Sequence, residues 1–181
     1  MFNDLIYELS QDPFDPKRNF AVAVEYEKAG QIASAVSFYL RTAEYGYDSA
    51  PGEVYASLLK LAKCFEEQND RFSTVSNCLL QAVGYMPYRP EGYFLMARFH
   101  ERQGNWREAY AWARMGASRP EYPALPVDVE FVPYGSRFEQ AVSGWWLGLR
   151  DESIKIFQDL LTEDISDHYR KSIEANLAII V

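Results

Sequence analysis

A helix–turn–helix punctuation recurs along this chain, with turns at Gly30, Asn69, Gly104 and Gly148, 39, 35 and 44 residues apart. An apolar helix pattern runs into each turn and a second one follows it. Units of that length cannot bury their apolar faces alone, so neighbouring units must stack. The periodicity within each unit is helical. Val54, Leu58, Leu61, Ala62 and Phe65 share one stripe of the second unit, and Ile154, Phe157, Leu160 and Leu161 share one of the fourth. No β-repeat competes. The expected fold is all-α, an α-solenoid of stacked helix pairs.

The third unit has the clearest grammar. Counting from Gly104, Tyr93 lies eleven residues before, Ala97 seven before and Ala109 five after. Small residues at those places let two helices cross closely, and the large ones fill the gaps between pairs. A turn glycine supplies the positive φ that ends the first helix. The first unit repeats this with Ala23, Tyr26, Gly30, Ala35 and Tyr39, and the fourth with Ala141, Gly148, Ser153 and Phe157. In the second unit Asn69 stands at the turn, which asparagine tolerates, and one extra residue precedes Val75, Leu79, Ala82 and Pro87. This pattern resembles the tetratricopeptide repeat. It predicts one helical-repeat domain over residues 1–181, with repeats at 17–48, 53–87, 90–118 and 136–163. A short amphipathic helix carrying Phe2, Leu5, Ile6 and Leu9 precedes them, ended by the run Asp12–Pro16. A Pro-rich insertion spans 119–135. A capping helix at 166–180 follows, begun by Ser166 or Asp167, with Ile173, Leu177 and Ile180 as its apolar positions.

The last third carries a more particular signal. The run Leu125–Tyr134 (LPVDVEFVPY) leads into Arg137–Gly148 (RFEQAVSGWWLG), and Tyr93–Trp106 contributes a matching phrase. Together they resemble the repeat domain attached to family 2-type glycosyltransferases of bacteria and tailed phages, including phages of cyanobacteria. The resemblance covers about residues 15–178. It implies an origin beside such an enzyme, but no transferase domain: the strand–helix alternation of a nucleotide-sugar fold is missing, and Asp128-Val-Glu130 matches an acidic metal motif poorly. Those two acids read as an exposed turn or a helix cap.

Charge narrows the partners. Eighteen basic residues face 26 acidic ones, a net charge of −8. A phosphate-backbone binder needs a basic face, and anionic membranes are disfavoured equally. No apolar run reaches the roughly 18 residues of a membrane span. The segment Met1–Gln11 lacks the basic start of a signal peptide. Two cysteines, Cys64 and Cys78, build no disulfide framework. They read as buried thiols on one helical hairpin, with a redox pair as the alternative. A cytoplasmic protein is expected, in the host cytoplasm or the virion if phage-encoded.

No residue set points to catalysis. His100 and His168 have no nucleophile or metal-ligand set around them, and neither a catalytic residue, a cofactor nor a metal is expected. Tyr45, Tyr47, Tyr85, Tyr88 and Tyr122 cluster near helix ends and in loops. They are either stacking platforms for a sugar or peptide, or loop packing. Arg98 and Arg102 are four apart and share a helix face. With Tyr93 ahead of them and Arg137 opening the next first helix of a pair, they are the candidate partner-binding set, bordering one concave, locally positive site for an acidic protein segment. The competing reading makes them surface pairs with Glu101 and Glu139.

Three roles fit such a chain. The first is a non-catalytic interaction scaffold that binds a protein or peptide. The second is the accessory or repeat part of a glycosyltransferase. The third is a structural subunit of a virion or other assembly, with a homo-oligomer formed through the C-terminal helix, because the apolar end Leu177–Val181 needs burial.

Overall fold

A computed structural model describes residues 2–68, 71–120 and 122–180. The turn residue Asn69 lies outside them, as does the last apolar residue, Val181. The described residues form ten α-helices and no strand: α1 (Phe2–Gln11), α2 (Pro16–Lys28), α3 (Ile32–Tyr45), α4 (Pro51–Glu66), α5 (Phe72–Tyr85), α6 (Glu91–Arg102), α7 (Trp106–Ala117), α8 (Gly135–Trp146), α9 (Arg150–Leu161) and α10 (Asp167–Ile180).

The turns after α2, α6 and α8 are built alike. Gly104 has φ of 70°. Its N–H donates to the Glu101 carbonyl, and the Asn105 N–H donates to the His100 carbonyl, both at 2.9 Å. This pair of crossed bonds satisfies carbonyls that the helix end leaves orphaned, and it requires the left-handed conformation that glycine adopts without strain. Gly30 and Gly148 repeat the arrangement with φ of 70° and 82°. In each case the residue after the glycine opens the next helix, its carbonyl accepting from Ala35, Ala109 or Ser153. Those three small residues, and Ala23, Ala97 and Ala141 on the preceding helices, are almost completely buried. The close crossing of paired helices explains their size. Ala109→Leu should overpack that crossing and lower stability by about 1–3 kcal/mol; an unchanged urea midpoint would refute the assigned register.

The chain divides into two compact units. The N-terminal unit comprises α1 to α5 together with residues 122–129. Asp15 caps α2: its side chain accepts from the N–H groups of Lys17 (2.8 Å) and Arg18 (3.0 Å), ahead of Pro16 at the first helical position. Helix α4 is buried on every side from Val54 to Ala62. Its Lys60 is therefore paired, with Glu27 Oε1 at 3.0 Å, while the Tyr39 hydroxyl donates to Glu27 Oε2 at 2.5 Å. One carboxylate thus ties α2, α3 and α4 together and removes the cost of burying a lone ammonium. Residues 122–129 hold no helix. Leu125, Val127 and Val129 are half-buried, and Ala124, Pro126 and Asp128, which alternate with them, are exposed. That two-residue alternation marks an extended segment with one face packed.

The C-terminal unit comprises α6 to α10. Its core holds Ala141, Phe157, Leu160, Ile165 and Ile173, with Tyr134, Phe138, Val142, Tyr169 and Leu177 packed around them. The start of α8 lies directly on α6. A Cβ at Gly135 would sit 2.5 Å from the Phe94 ring, so only glycine allows this approach. The Phe94 ring also meets Phe131 edge-on at 5.7 Å. Helix α10 is held to the unit by Ile173, by Tyr169 and by Arg170, whose guanidinium donates to the Leu161 carbonyl at 3.1 Å.

Candidate functional site

In the C-terminal unit, a polar cluster gathers on α6, α8 and α10. On α6, Arg98, Glu101 and Arg102 share one helix face by their spacing. The contact between Gly135 and Phe94 brings α8 alongside. On α8, Ser136, Glu139 and Ser143 form a buried stripe, whose i, i+3, i+7 spacing is the inward face of the helix. Two of the three are small. The third is a carboxylate, with the residue only 5% exposed.

Glu139 is poorly compensated. Its ion-pair partner is Arg98, whose Nε lies 4.0 Å from Oε1, beyond hydrogen-bond range. Among the described residues no donor hydrogen-bonds the carboxylate. Arg98 itself is a third exposed, and its guanidinium lies over the Phe94 ring, 5.6 Å from the centroid. Burial pushes Glu139 up from the ordinary 4.5 to about 7, helped by the negative charge of Glu101 and opposed by Arg98 and Arg102. From α10, burial and then the Glu139 charge raise the Tyr169 phenol, against the pull of Arg98. Tyr169 meets Tyr134 and Phe138 edge-on, at 5.0 and 4.9 Å.

The four residues expected to form the binding set have different surroundings. Arg98 and Arg102 both act on Glu139, and Arg102 is exposed. Arg137 is partly exposed and pairs with Glu163, beyond the end of α9. Tyr93 is 4% exposed. Its ring packs against Trp112 with Arg119 above it, and its hydroxyl accepts from Arg119 Nη2 at 3.1 Å. That packing makes Tyr93 a support for α7 and leaves it little surface for a partner. Glu139 entered the sequence reading only as a neutralising charge. Its place on a stripe of small residues was the available signal.

The remaining candidates are resolved by their environments. Cys64 and Cys78 are free and buried. Burial pushes the Cys64 thiol up to about 12, with Glu27 and Glu67 adding to it, and burial raises Cys78 as well. Both therefore stay protonated and unreactive near neutral pH. His100 is lowered by burial, against the opposing Glu108 charge. Tyr47 and Tyr85 wall a cavity of about 290 Å³ with Gln81 and Leu58, their rings 5.0 Å apart. Glu130 has φ of 60°, a left-handed conformation unusual for its type. Among the described residues no group of three or more His, Cys, Asp or Glu could hold a metal. No described helix is long and apolar enough to cross a membrane.

The geometry is that of a tetratricopeptide-like helical-repeat fold, and comparison with solved structures agrees. The chain superimposes on a tetratricopeptide repeat protein from Parabacteroides merdae with a TM-score of 0.70 and 16% identity, covering 99% of this chain and 65% of that one. Against MamA the TM-score is 0.66 at 14% identity, with coverages of 98% and 88%. Against YrrB, a tetratricopeptide repeat protein with an unusual peptide-binding site, it is 0.65 at 12% identity, with coverages of 88% and 74%. At these identities the likeness establishes the fold. No family model and no curated protein matches the chain.

Proposed function

We propose that this chain is a non-catalytic scaffold that binds an acidic segment of a partner protein on the α6–α8 surface of its C-terminal unit. The observation that carries the reading is Glu139 beneath Arg98 and Arg102. A buried carboxylate with one long ion pair and no hydrogen bond costs stability and returns little packing. Such a local cost is characteristic of functional surfaces. Arg98 and Arg102 carry planar forks suited to carboxylates, and both reach the surface. The peptide-binding site of YrrB supports a peptide as the kind of partner this fold accepts.

The test is binding of a hexaglutamate peptide to wild type and to the double variant Arg98→Glu, Arg102→Glu. Affinity in the variant should drop about tenfold or more at low salt, since charge-assisted contacts contribute about 1.5–3 kcal/mol each. The loss should shrink as salt screens the charges. Equal affinities at low salt would rule the site out.

A second reading is assembly with further copies or with a neighbouring subunit. Trp146, Leu147, Leu149 and Ile179 are exposed in the C-terminal unit, Ile179 at 81%. Of these, Trp146 and Ile179 line a cavity of about 310 Å³ together with Val142, Trp145, Phe157 and Asn176. A mass that rises with concentration in sedimentation would favour this reading. The resemblance of residues 125–148 to glycosyltransferase-attached repeats supports a scaffold working beside such an enzyme, in bacterium or phage. Co-purification with a transferase would test that association.

A further inference from the structure

Helix α5 closes on a glycine that nothing inside its unit requires. Gly84 is the penultimate residue of the helix. Glycine weakens a helix relative to alanine, so its presence calls for a reason. Backbone conformation supplies none, because Gly84 is helical and its φ is not positive. Packing supplies none either: a Cβ at Gly84 would meet no atom within 4 Å. At Gly116 or Gly135, by contrast, a Cβ would run into Ser136 or Phe94. Gly84 instead lines the cavity of about 290 Å³ in the N-terminal unit. The floor of that cavity includes Val54 and Leu58 of α4, both buried, and Tyr47, Gln81 and Tyr85 surround it. The Tyr85 hydroxyl donates to the Tyr47 carbonyl at 2.5 Å, which fixes the loop carrying Tyr47. The two rings meet at 5.0 Å, inclined by 54°, so no flat group fits between them. Tyr47 is 62% exposed and keeps ring surface open to a ligand. Gln81 is exposed as well, and its amide both donates and accepts. No lining residue is acidic or basic.

We propose that this cavity binds one neutral sugar ring, and that Gly84 is bare so that the ring can approach the α5 backbone. The site shares no residue with the α6–α8 surface and stands independently of that reading. A charged ligand would give up hydration here without meeting a counter-charge. The apolar floor and the Tyr47 ring suit the C–H face of a pyranose, which they cover by dispersion and by removing apolar surface from water. The Gln81 amide matches hydroxyls, which also donate and accept. A purely apolar ring would cover that amide and leave it unpaired. Cavities for drug-sized ligands run from about 300 to 1,000 Å³, so this volume suits a single ring better than a chain of them.

The experiment is titration of the isotope-labelled full chain with methyl β-D-glucoside, methyl α-D-mannoside and N-acetylglucosamine, read by amide shifts and by saturation transfer to the sugar. At least one probe should bind with millimolar affinity and shift the amides of Tyr47, Gln81 and Gly84 saturably. Saturation should reach its ring C–H protons most strongly. Gly84→Leu should lower that affinity about tenfold or more, because the new side chain occupies the cavity. Its urea midpoint should equal or exceed the wild type, since leucine is the better helix former and the Cβ meets open space. A glycine needed only for folding would give the opposite shift in stability. Tyr47→Ala, at an exposed residue, should lower affinity about tenfold as well, and it provides the same reading should Gly84→Leu fold poorly. Undiminished affinity in a folded Gly84→Leu, or saturable shifts centred elsewhere, would overturn the site. Indole is the flat aromatic control: indole binding at these amides without sugar binding overturns the sugar assignment. The absence of a saturable shift with every sugar overturns it too.

Discussion

Phe157→Ala should destabilise the protein by about 3–5 kcal/mol, the cost of deleting a fully buried aromatic and leaving a cavity. The side chain is 1% exposed at the centre of the C-terminal core. Phe138 packs against it at 5.9 Å, and Ile173 brings α10 onto the same cluster. Collapse around the missing ring is limited, because the neighbouring cavity of about 310 Å³ already shares Phe157 as a wall. Part of that penalty should fall on α10, whose amides would lose hydrogen-exchange protection before those of α2 and α3. Urea denaturation monitored by circular dichroism measures the total. A midpoint close to wild type would mean that Phe157 is not the keystone of this unit.

Replacing Glu139 with glutamine should make the protein more stable at alkaline pH and leave it little changed in acid. The carboxyl has a folded-state value of about 7 against an ordinary 4.5. Between those values the folded chain retains a proton that the unfolded chain has released. Stability therefore falls as pH rises through this window. The deficit is absent below about 4.5 and complete above about 7, and the gap corresponds to about 3 kcal/mol at most. Glutamine cannot ionise, so its advantage over wild type should grow across the same window and then level off. Urea midpoints of both proteins at several pH values provide the check. An advantage that is constant with pH would show that Glu139 ionises without penalty and would remove the physical basis of the proposed site.

Much of the fold was legible because its instructions are local. A glycine at a helix end, with a small residue seven places before it and another five after, encodes a turn and a close helix crossing within one stretch of chain. Gly104, Ala97 and Ala109 show both consequences: the positive φ at the glycine and complete burial of the two alanines. The candidate site was legible only in part. Spacing on one helix placed Arg98 and Arg102 on a common face. It could not reveal that Tyr93 is occupied by Trp112 and Arg119, or that Arg137 turns toward Glu163. Those partners lie on other segments, and their distances depend on how the helices pack.

What the sequence determined by itself was the class of structure: helices of a given length, paired through glycine turns, with apolar stripes that must be stacked. Periodicity and backbone preference suffice for that, since each acts over a single turn or hairpin. What only the tertiary structure decided was the state of particular charges. Glu27 and Glu139 are both glutamates on the first helix of a pair. The folded chain gives one of them a lysine at 3.0 Å and a tyrosine hydroxyl. It gives the other a single guanidinium at 4.0 Å beside a second acid. The energy of a buried charge depends on its donors and on the water it has lost. Both are properties of packing between elements far apart in the chain, so the same residue type becomes a structural tie in one unit and a neutral-range proton site in the other.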